Sequence, residues 1–338
     1  MNSSTSNSRS EWKVIASVLA VLLIGEFSLY FTENRLSYDM QHIRQIPAIL
    51  NDMKQGDAPR ILFLGNSLTR AGIRPDIIKG TWANANLSDT TIGLIYPDDT
   101  MLTDWLYVYR RFVQPSNARP RLLIICFANN HLDDGPLRNA ERLGREFAGL
   151  SLAAEAFSHD VLSLSDRIRY LLGTASRLWA NRERIQKRIL SLIPGYQEFA
   201  PIINNVVRSD ERSHAHAKQP TYNQLARFLN IVAGDGTKVV FVAAPLPEPY
   251  PLPDELYKTI SRGGAEIVDL RGLERTGPDD FLDSLHLAPA AAERFSKALG
   301  VALAGNDYVH TTLWGTRLQG FRIEPSGSSA VQSGIVAR

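Results

Sequence analysis

Three short stretches of the chain carry residue types that could act together on one substrate. ILFLGNSLTR, Ile61 to Arg70, runs from four apolar residues through a glycine and an asparagine to Ser67. FANNH, Phe127 to His131, closes another apolar run on Asn129, Asn130 and His131. DSLH, Asp283 to His286, sets a carboxylate three residues before an imidazole. A serine hydroxyl is a weak nucleophile at neutral pH and needs a base within hydrogen-bond reach. Histidine is the usual base, and a carboxylate fixes its tautomer and stabilises the imidazolium. On a helical turn, Asp283 and His286 share a face, so one short loop could supply both. Acyl transfer also needs donors aimed at an oxyanion. Ser67 at a strand-to-helix turn has a free backbone N–H, and Asn129 offers a side-chain amide. Each feature alone has a plainer reading. Ser67 is a helix N-cap, Asn129 and Asn130 are turn formers, and D-x-x-H is a chance spacing.

These groups need a scaffold that brings three distant stretches to one place. Five runs read as strands: RILFLG (60–65), TTIGLIY (90–96), RLLIICF (121–127), KVVFVAAP (238–245) and AEIVDL (265–270). The first, third and fourth are continuously apolar, the pattern of strands buried on both faces of a parallel sheet. Helical patterns lie between them, at 99–113, 222–236 and 288–305, the last with Pro289 near its first turn. The expected class is therefore α/β, a three-layer α/β/α arrangement with a mostly parallel five-stranded sheet of flavodoxin-like type. Ligands in such sheets bind beyond the carboxyl ends of the strands, where Ser67 and Asn129 fall.

Composition narrows the function classes. The chain has 338 residues, 44% apolar and 21% charged, enough for a packed core. A net charge of +2 without a dense basic stripe argues against a nucleic-acid binder. The single cysteine, Cys126, permits no intramolecular disulfide and no cysteine-based zinc site, and it reads as a small core residue. Val14 to Phe31 is apolar except for Glu26 and two serines, long enough to cross a bilayer. Arg9 and Lys13 precede it, which favours a cytoplasmic N-terminus and an extracytoplasmic domain. Glu26 must then lie near the outer interface or meet a partner. The division reads as 1–32 cytoplasmic N-terminus and anchor, 33–57 helical stem, 58–305 α/β domain and 306–338 tail, its last dozen residues expected to be disordered. Residues 134–218 break the alternation and read as a helical, Arg-rich insertion with a mostly solvated charged face. Within it, His214 and His216 are weak metal candidates in a loop at 209–219.

With those residues in view, the sequence resembles the SGNH (GDSL-type) hydrolase superfamily. GNSLT at 65–69 matches the first block, with Asn66 where the family commonly has Asp. FANN at 127–130 is similar to the third block, and DSLH at 283–286 matches the fifth. The resemblance implies Ser67 as nucleophile, His286 as base, Asp283 as its partner and Asn129 in the oxyanion hole. A second-block glycine normally completes that hole. Here its place falls near Pro97 or Asp98, while Gly93 lies too early, so Asp98 becomes the expected donor. The insertion has no counterpart in the family pattern.

The function expected is a membrane-tethered serine esterase or O-acyltransferase acting through an acyl-serine intermediate, with no cofactor or metal. By analogy with other tethered members, its substrates are acyl, chiefly acetyl, esters of cell-envelope or exopolysaccharide glycans. One alternative is a lipase or thioesterase on membrane lipids. The other is a catalytically degenerate domain that binds glycan or scaffolds a complex with a membrane-protein partner.

Overall fold

The computed structural model describes residues 8–85, 87, 89–196, 220–273 and 277–315. The loop histidines His214 and His216, and the tail beyond residue 315, lie outside the described residues.

All five apolar runs are strands: β1 (Arg60–Leu64), β2 (Thr91–Ile95), β3 (Leu122–Phe127), β4 (Lys238–Ala243) and β5 (Glu266–Asp269). They pair parallel throughout, in the order β2-β1-β3-β4-β5. The continuous apolar pattern has a direct cause. Ile61 and Phe63 of β1 face one core while Leu62 and Leu64 face the other. Ile124 and Cys126 of β3 likewise oppose Leu123, Ile125 and Phe127. Cys126 is a buried core residue, as its context implied.

Helices cover both faces. In chain order they are α1 (Ser8–Thr32), α2 (Tyr38–Asp52), α3 (Ser67–Gly72), α4 (Pro75–Asn84) and α5 (Leu102–Val108). The insertion contributes α6 (Ala140–Arg142), α7 (Ala153–His159), α8 (Leu164–Ala175), α9 (Arg177–Ala180) and α10 (Arg182–Leu190). Then come α11 (Asn223–Gly234), α12 (Asp254–Arg262), α13 (Pro289–Ala304) and α14 (Asp307–Trp314). β1 leads outward to β2 on one side and back to β3 on the other, so the strand order reverses between β1 and β3. Their carboxyl ends form the crevice where open α/β sheets bind ligands.

Residues 33–57, expected as a helical stem, are helical over Tyr38–Asp52, and that helix packs into the domain. Met40, Ile43, Ile46, Leu50 and Met53 recur at helical spacing and bury in the same core as Trp105 and Phe127. The helix α2 also ties the loop after the edge strand β2. Tyr96 N–H donates to His42 Nε2 at 2.9 Å, and Asp98 N–H donates to Asp39 Oδ1 at 2.8 Å. Several of the insertion's arginines do not lie on the solvated face expected of them. Arg142 and Arg184 both bond Asp39 Oδ2, at 2.8 and 2.9 Å, and Arg169 and Arg182 hold the buried Glu141 at 2.8 and 2.9 Å. A carboxylate taken out of water needs such partners, which draws the arginines inward.

Replacing Ile46 by Ala should remove about 2–5 kcal/mol of stability in a urea melt, as expected for a core residue. A stem helix outside the core would lose about 0.5 kcal/mol or less.

Candidate active site

The serine turn is built first by packing. A Cβ at residue 65 would run into the Thr69 side chain and come within 3.3 Å of the Cys126 carbonyl, so only glycine lets β1 turn there. Asn66, not Ser67, is the N-cap of α3. Its Oδ1 accepts from Leu68 N–H at 3.0 Å. The capping alternative for Ser67 is thereby corrected, because the preceding residue already satisfies the first turn. Ser67 is half-buried, and its hydroxyl has no hydrogen-bond partner among the described residues.

The other end of the Asn66 amide reaches across the crevice. Its Nδ2 donates to the Thr100 carbonyl at 3.0 Å and lies 3.4 Å from His131 Nδ1. That ring nitrogen also accepts from Ala128 N–H at 3.3 Å. With two donors aimed at Nδ1, the imidazole is neutral and its proton sits on Nε2. Burial agrees with this, bringing the His131 pKa down to about 4. His131 therefore clamps the loop carrying Asn129 to the turn carrying Ser67. The sequence offered this residue only as the end of a loop. Asn129 itself is exposed, in the left-handed region at φ 51°, which asparagine tolerates better than most residues. The turn-forming and donor readings of Asn129 are compatible.

Asp283 and His286 meet directly. His286 Nδ1 lies 2.8 Å from Asp283 Oδ2. The other carboxylate oxygen accepts the backbone N–H groups of Leu285 and His286, both at 2.8 Å. Burial pushes the Asp283 carboxyl up, but the hydrogen bonds from the ring and the two amides outweigh it and leave it below the ordinary carboxylate range. A charged Asp283 fixes the proton on Nδ1 and leaves the Nε2 lone pair free. That Nε2 is shielded from solvent and has no hydrogen-bond partner. The expectation of a helical turn is replaced by a closed loop. An isolated bridge between Phe281 and Leu287 pins its ends, and Leu282 N–H donates to the His286 carbonyl at 2.8 Å.

Packing carries the three stretches to one end of the sheet. Leu68 and Ala128 bury with Tyr250, and Leu285 packs against them. Each of Leu68, Ala128 and Leu285 is the chain neighbour of a candidate: Ser67, Asn129 and His286. Ser296 on α13 adds a second tie, donating to the Gly72 carbonyl and accepting from Arg74 N–H, both at 2.8 Å. No direct hydrogen bond joins Ser67 to His286. Catalytic hydrogen bonds often tighten only with substrate in place.

Asp98 does not fit its expected role. Its N–H is committed to Asp39 Oδ1 at 2.8 Å and is not free for an oxyanion. The left-handed conformation, which glycine favours, falls instead on Asp99 at φ 53°, and its amide bonds no described group. Among the described residues, no group of three or more His, Cys, Asp or Glu could hold a metal.

The order β2-β1-β3-β4-β5 puts the serine turn and the asparagine loop at the reversal point, and the Asp–His pair lies just before α13. The fold is α/β, with helices on both faces of an all-parallel five-stranded sheet. No family model matches the chain, and no curated protein does. Among solved structures, TesA matches at 12% identity and a TM-score of 0.36, covering 72% of this chain and 98% of its own. The lipase/acylhydrolase from Enterococcus faecalis matches at 13% and 0.36, over 72% and 93%. A variant of Axe2, an acetyl xylan esterase from Geobacillus stearothermophilus, matches at 11% and 0.37, over 81% and 100%. Likenesses this distant say nothing about activity, which rests on the site itself.

The Asn66 contacts favour an amide over a carboxylate at this position. A carboxylate there would face the Thr100 carbonyl with an acceptor instead of a donor. Asn66→Asp should therefore lose about 1–3 kcal/mol of stability at neutral pH, read from a thermal or urea melt. An unchanged melting curve would show that the Nδ2 contacts carry no weight.

Proposed function

We propose that the chain is a membrane-tethered serine esterase or O-acyltransferase with its domain outside the cytoplasm, acting on acyl, chiefly acetyl, esters of envelope or exopolysaccharide glycans. The observation that carries the acyl-transfer reading is His286. Its Nδ1 is held by Asp283, and its Nε2 is desolvated and unpartnered. The Ser67 hydroxyl, not spent on capping and carried next to Leu68 in the cluster that Leu285 packs against, supplies the matching group.

In the proposed reaction, the Ser67 hydroxyl gives its proton to His286 Nε2 as Oγ attacks the ester carbonyl. The Ser67 backbone N–H and the Asn129 amide stabilise the oxyanion. The carbonyl–oxygen bond to the alcohol then breaks, and the alcohol leaves with the proton from His286. Acyl-Ser67 passes its acyl group to water or to an acceptor hydroxyl, with His286 again as base. Asp283 stays ionised and stabilises the imidazolium.

The membrane reading is supported by α1. Glu11–Arg35 has the length and composition of a span, and it is almost entirely uncovered by the rest of the chain. A signal sequence would pass the same test. The basic residues before it favour the domain lying outside. The glycan substrate follows from that location and from the resemblance. A lipid or thioester substrate is the second reading. It is favoured by the apolar residues beside the site: Leu246, Leu252 and Leu285 in the cluster, and Leu282, 70% exposed.

Hydrolysis of aryl acetate by the full chain, with a series of longer acyl chains alongside, tests both. Ser67→Ala and His286→Ala should each lose about a thousandfold or more in kcat/KM. Asn129→Ala should lose about 10²–10³ in kcat. Equal activity in wild type and Ser67→Ala would refute the acyl-enzyme. A preference rising with chain length would favour the lipid reading.

A further inference from the structure

The insertion turns several of its arginines inward and a set of apolar residues outward. On α8, Leu164, Ile168, Leu171 and Leu172 recur at i, i+4, i+7 and i+8, so they form one stripe. That stripe is exposed, Leu164 to 73%, while Tyr170 and Gly173 on the other side are buried. Trp179 on α9 is also exposed, as are Ile189 on α10 and Leu192 beyond its end, the last to 77%. Meanwhile the neighbouring arginines 169, 177, 182 and 184 turn to Glu141, Glu33 and Asp39. This inversion suits a surface that meets a bilayer and not water.

The junction with α1 says where that surface lies. A Cβ at Gly25 would meet Leu178 of α9 at 3.0 Å, so the two helices touch there. Glu26 accepts from Ser176 Oγ at 2.9 Å and from the N–H groups of Arg177 and Leu178 at 2.6 and 3.1 Å. Asn181 donates to Glu33 at 2.7 Å, two turns further on. The insertion therefore sits beside residues 25–33 of the chain. The helix from Trp12 to Gly25 rises only about 20 Å at about 1.5 Å per residue. A bilayer core is about 30 Å thick. Lipid must continue past Gly25, around the exposed Phe27, Tyr30 and Phe31, to the level of α9. The carboxylates at that level, Glu26 and Glu33, are already paired, as a lipid setting requires. An open apolar crevice of about 600 Å³ between α1 and Arg177, lined by Leu23, Phe27 and Tyr30, continues the same surface. Lys187 and Arg188 on α10 are exposed and form no ion pair among the described residues, so they are free for lipid phosphates.

We infer that α8–α10 lies in the headgroup–acyl interface of the bilayer that α1 crosses, its apolar side chains in lipid and Lys187 and Arg188 on anionic headgroups. The domain is thereby held against the membrane at a fixed height, not tethered on a swinging stem. This inference rests on the spanning reading of α1.

The test uses the full chain in vesicles of phosphatidylcholine and phosphatidylglycerol. Ile168→Cys and Leu192→Cys are labelled singly with an environment-sensitive fluorophore, with Val18→Cys as the span control and Lys258→Cys as the aqueous control. The native Cys126 is buried and stays unlabelled. All four positions are exposed, and a thermal melt checks each variant's fold. Lipid carrying a nitroxide near the headgroup should quench the labels at 168 and 192 severalfold more than that at 258. If 18 is protected by lipid while 168 and 192 behave like 258, the inference falls and the span stands. If 18 also behaves like 258, the spanning reading fails and takes the inference with it. A blue-shifted label at 168 or 192 that nitroxide lipid does not quench would mean a protein partner, and would overturn the inference.

Discussion

The two ends of one amide side chain hold the candidate site together. Asn66 Oδ1 caps α3, and its Nδ2 reaches the Thr100 carbonyl and lies beside His131. Because the cap is supplied by Asn66, the Ser67 hydroxyl is released from the task most serines in this position perform. Because the same group binds Thr100, the loop after β2 is locked to the loop after β1. Thr100 spreads the connection further, donating to the Pro97 carbonyl at 2.6 Å and accepting from Trp105 Nε1 at 2.9 Å. Through His131 the third loop joins as well. A buried network of this kind is costly if any member is unmatched, so it defines one arrangement of the three loops.

The Asp283–His286 pair is organised separately. Its loop is closed by its own backbone bonds and carried on α13, which Ser296 pins to the end of α3. The two halves of the site thus come from independent local structures, brought together by the packing of Leu68, Ala128 and Leu285. The Cys126 thiol, one strand away, plays no such part. Burial pushes its pKa up to about 12, so it stays a neutral core group.

Much of this was legible in the sequence. Continuous apolar runs mark the strands, and the carboxyl ends of those strands mark where a ligand would bind. Ser67, Asn129, Asp283 and His286 stood out because their chemistry is specific and their positions follow strand or helix ends. The cap assignment was missed, because Asn66 and Ser67 are both good caps and only geometry separates them. Asp98 was misread because nothing local to it reveals that Asp39, on a distant helix, takes its amide. Where the stem helix packs is hidden for a related reason: an amphipathic helix shows that it packs, not on what. In the insertion, Arg-rich sequence suggests a solvated face, but several arginines are drawn to the buried Glu33 and Glu141 and to the part-buried Asp39, which only the fold could place there. Glu26, an apparent defect in an apolar span, is satisfied by the start of α9.

The central claim is that Ser67 is a nucleophile activated by His286. Intact-mass and peptide analysis after reaction with a serine-directed fluorophosphonate tests it most directly. A single adduct on Ser67, formed by the wild type and much more slowly by His286→Ala, is the predicted result. No adduct, an adduct on another serine, or equal labelling rates in both proteins would contradict it.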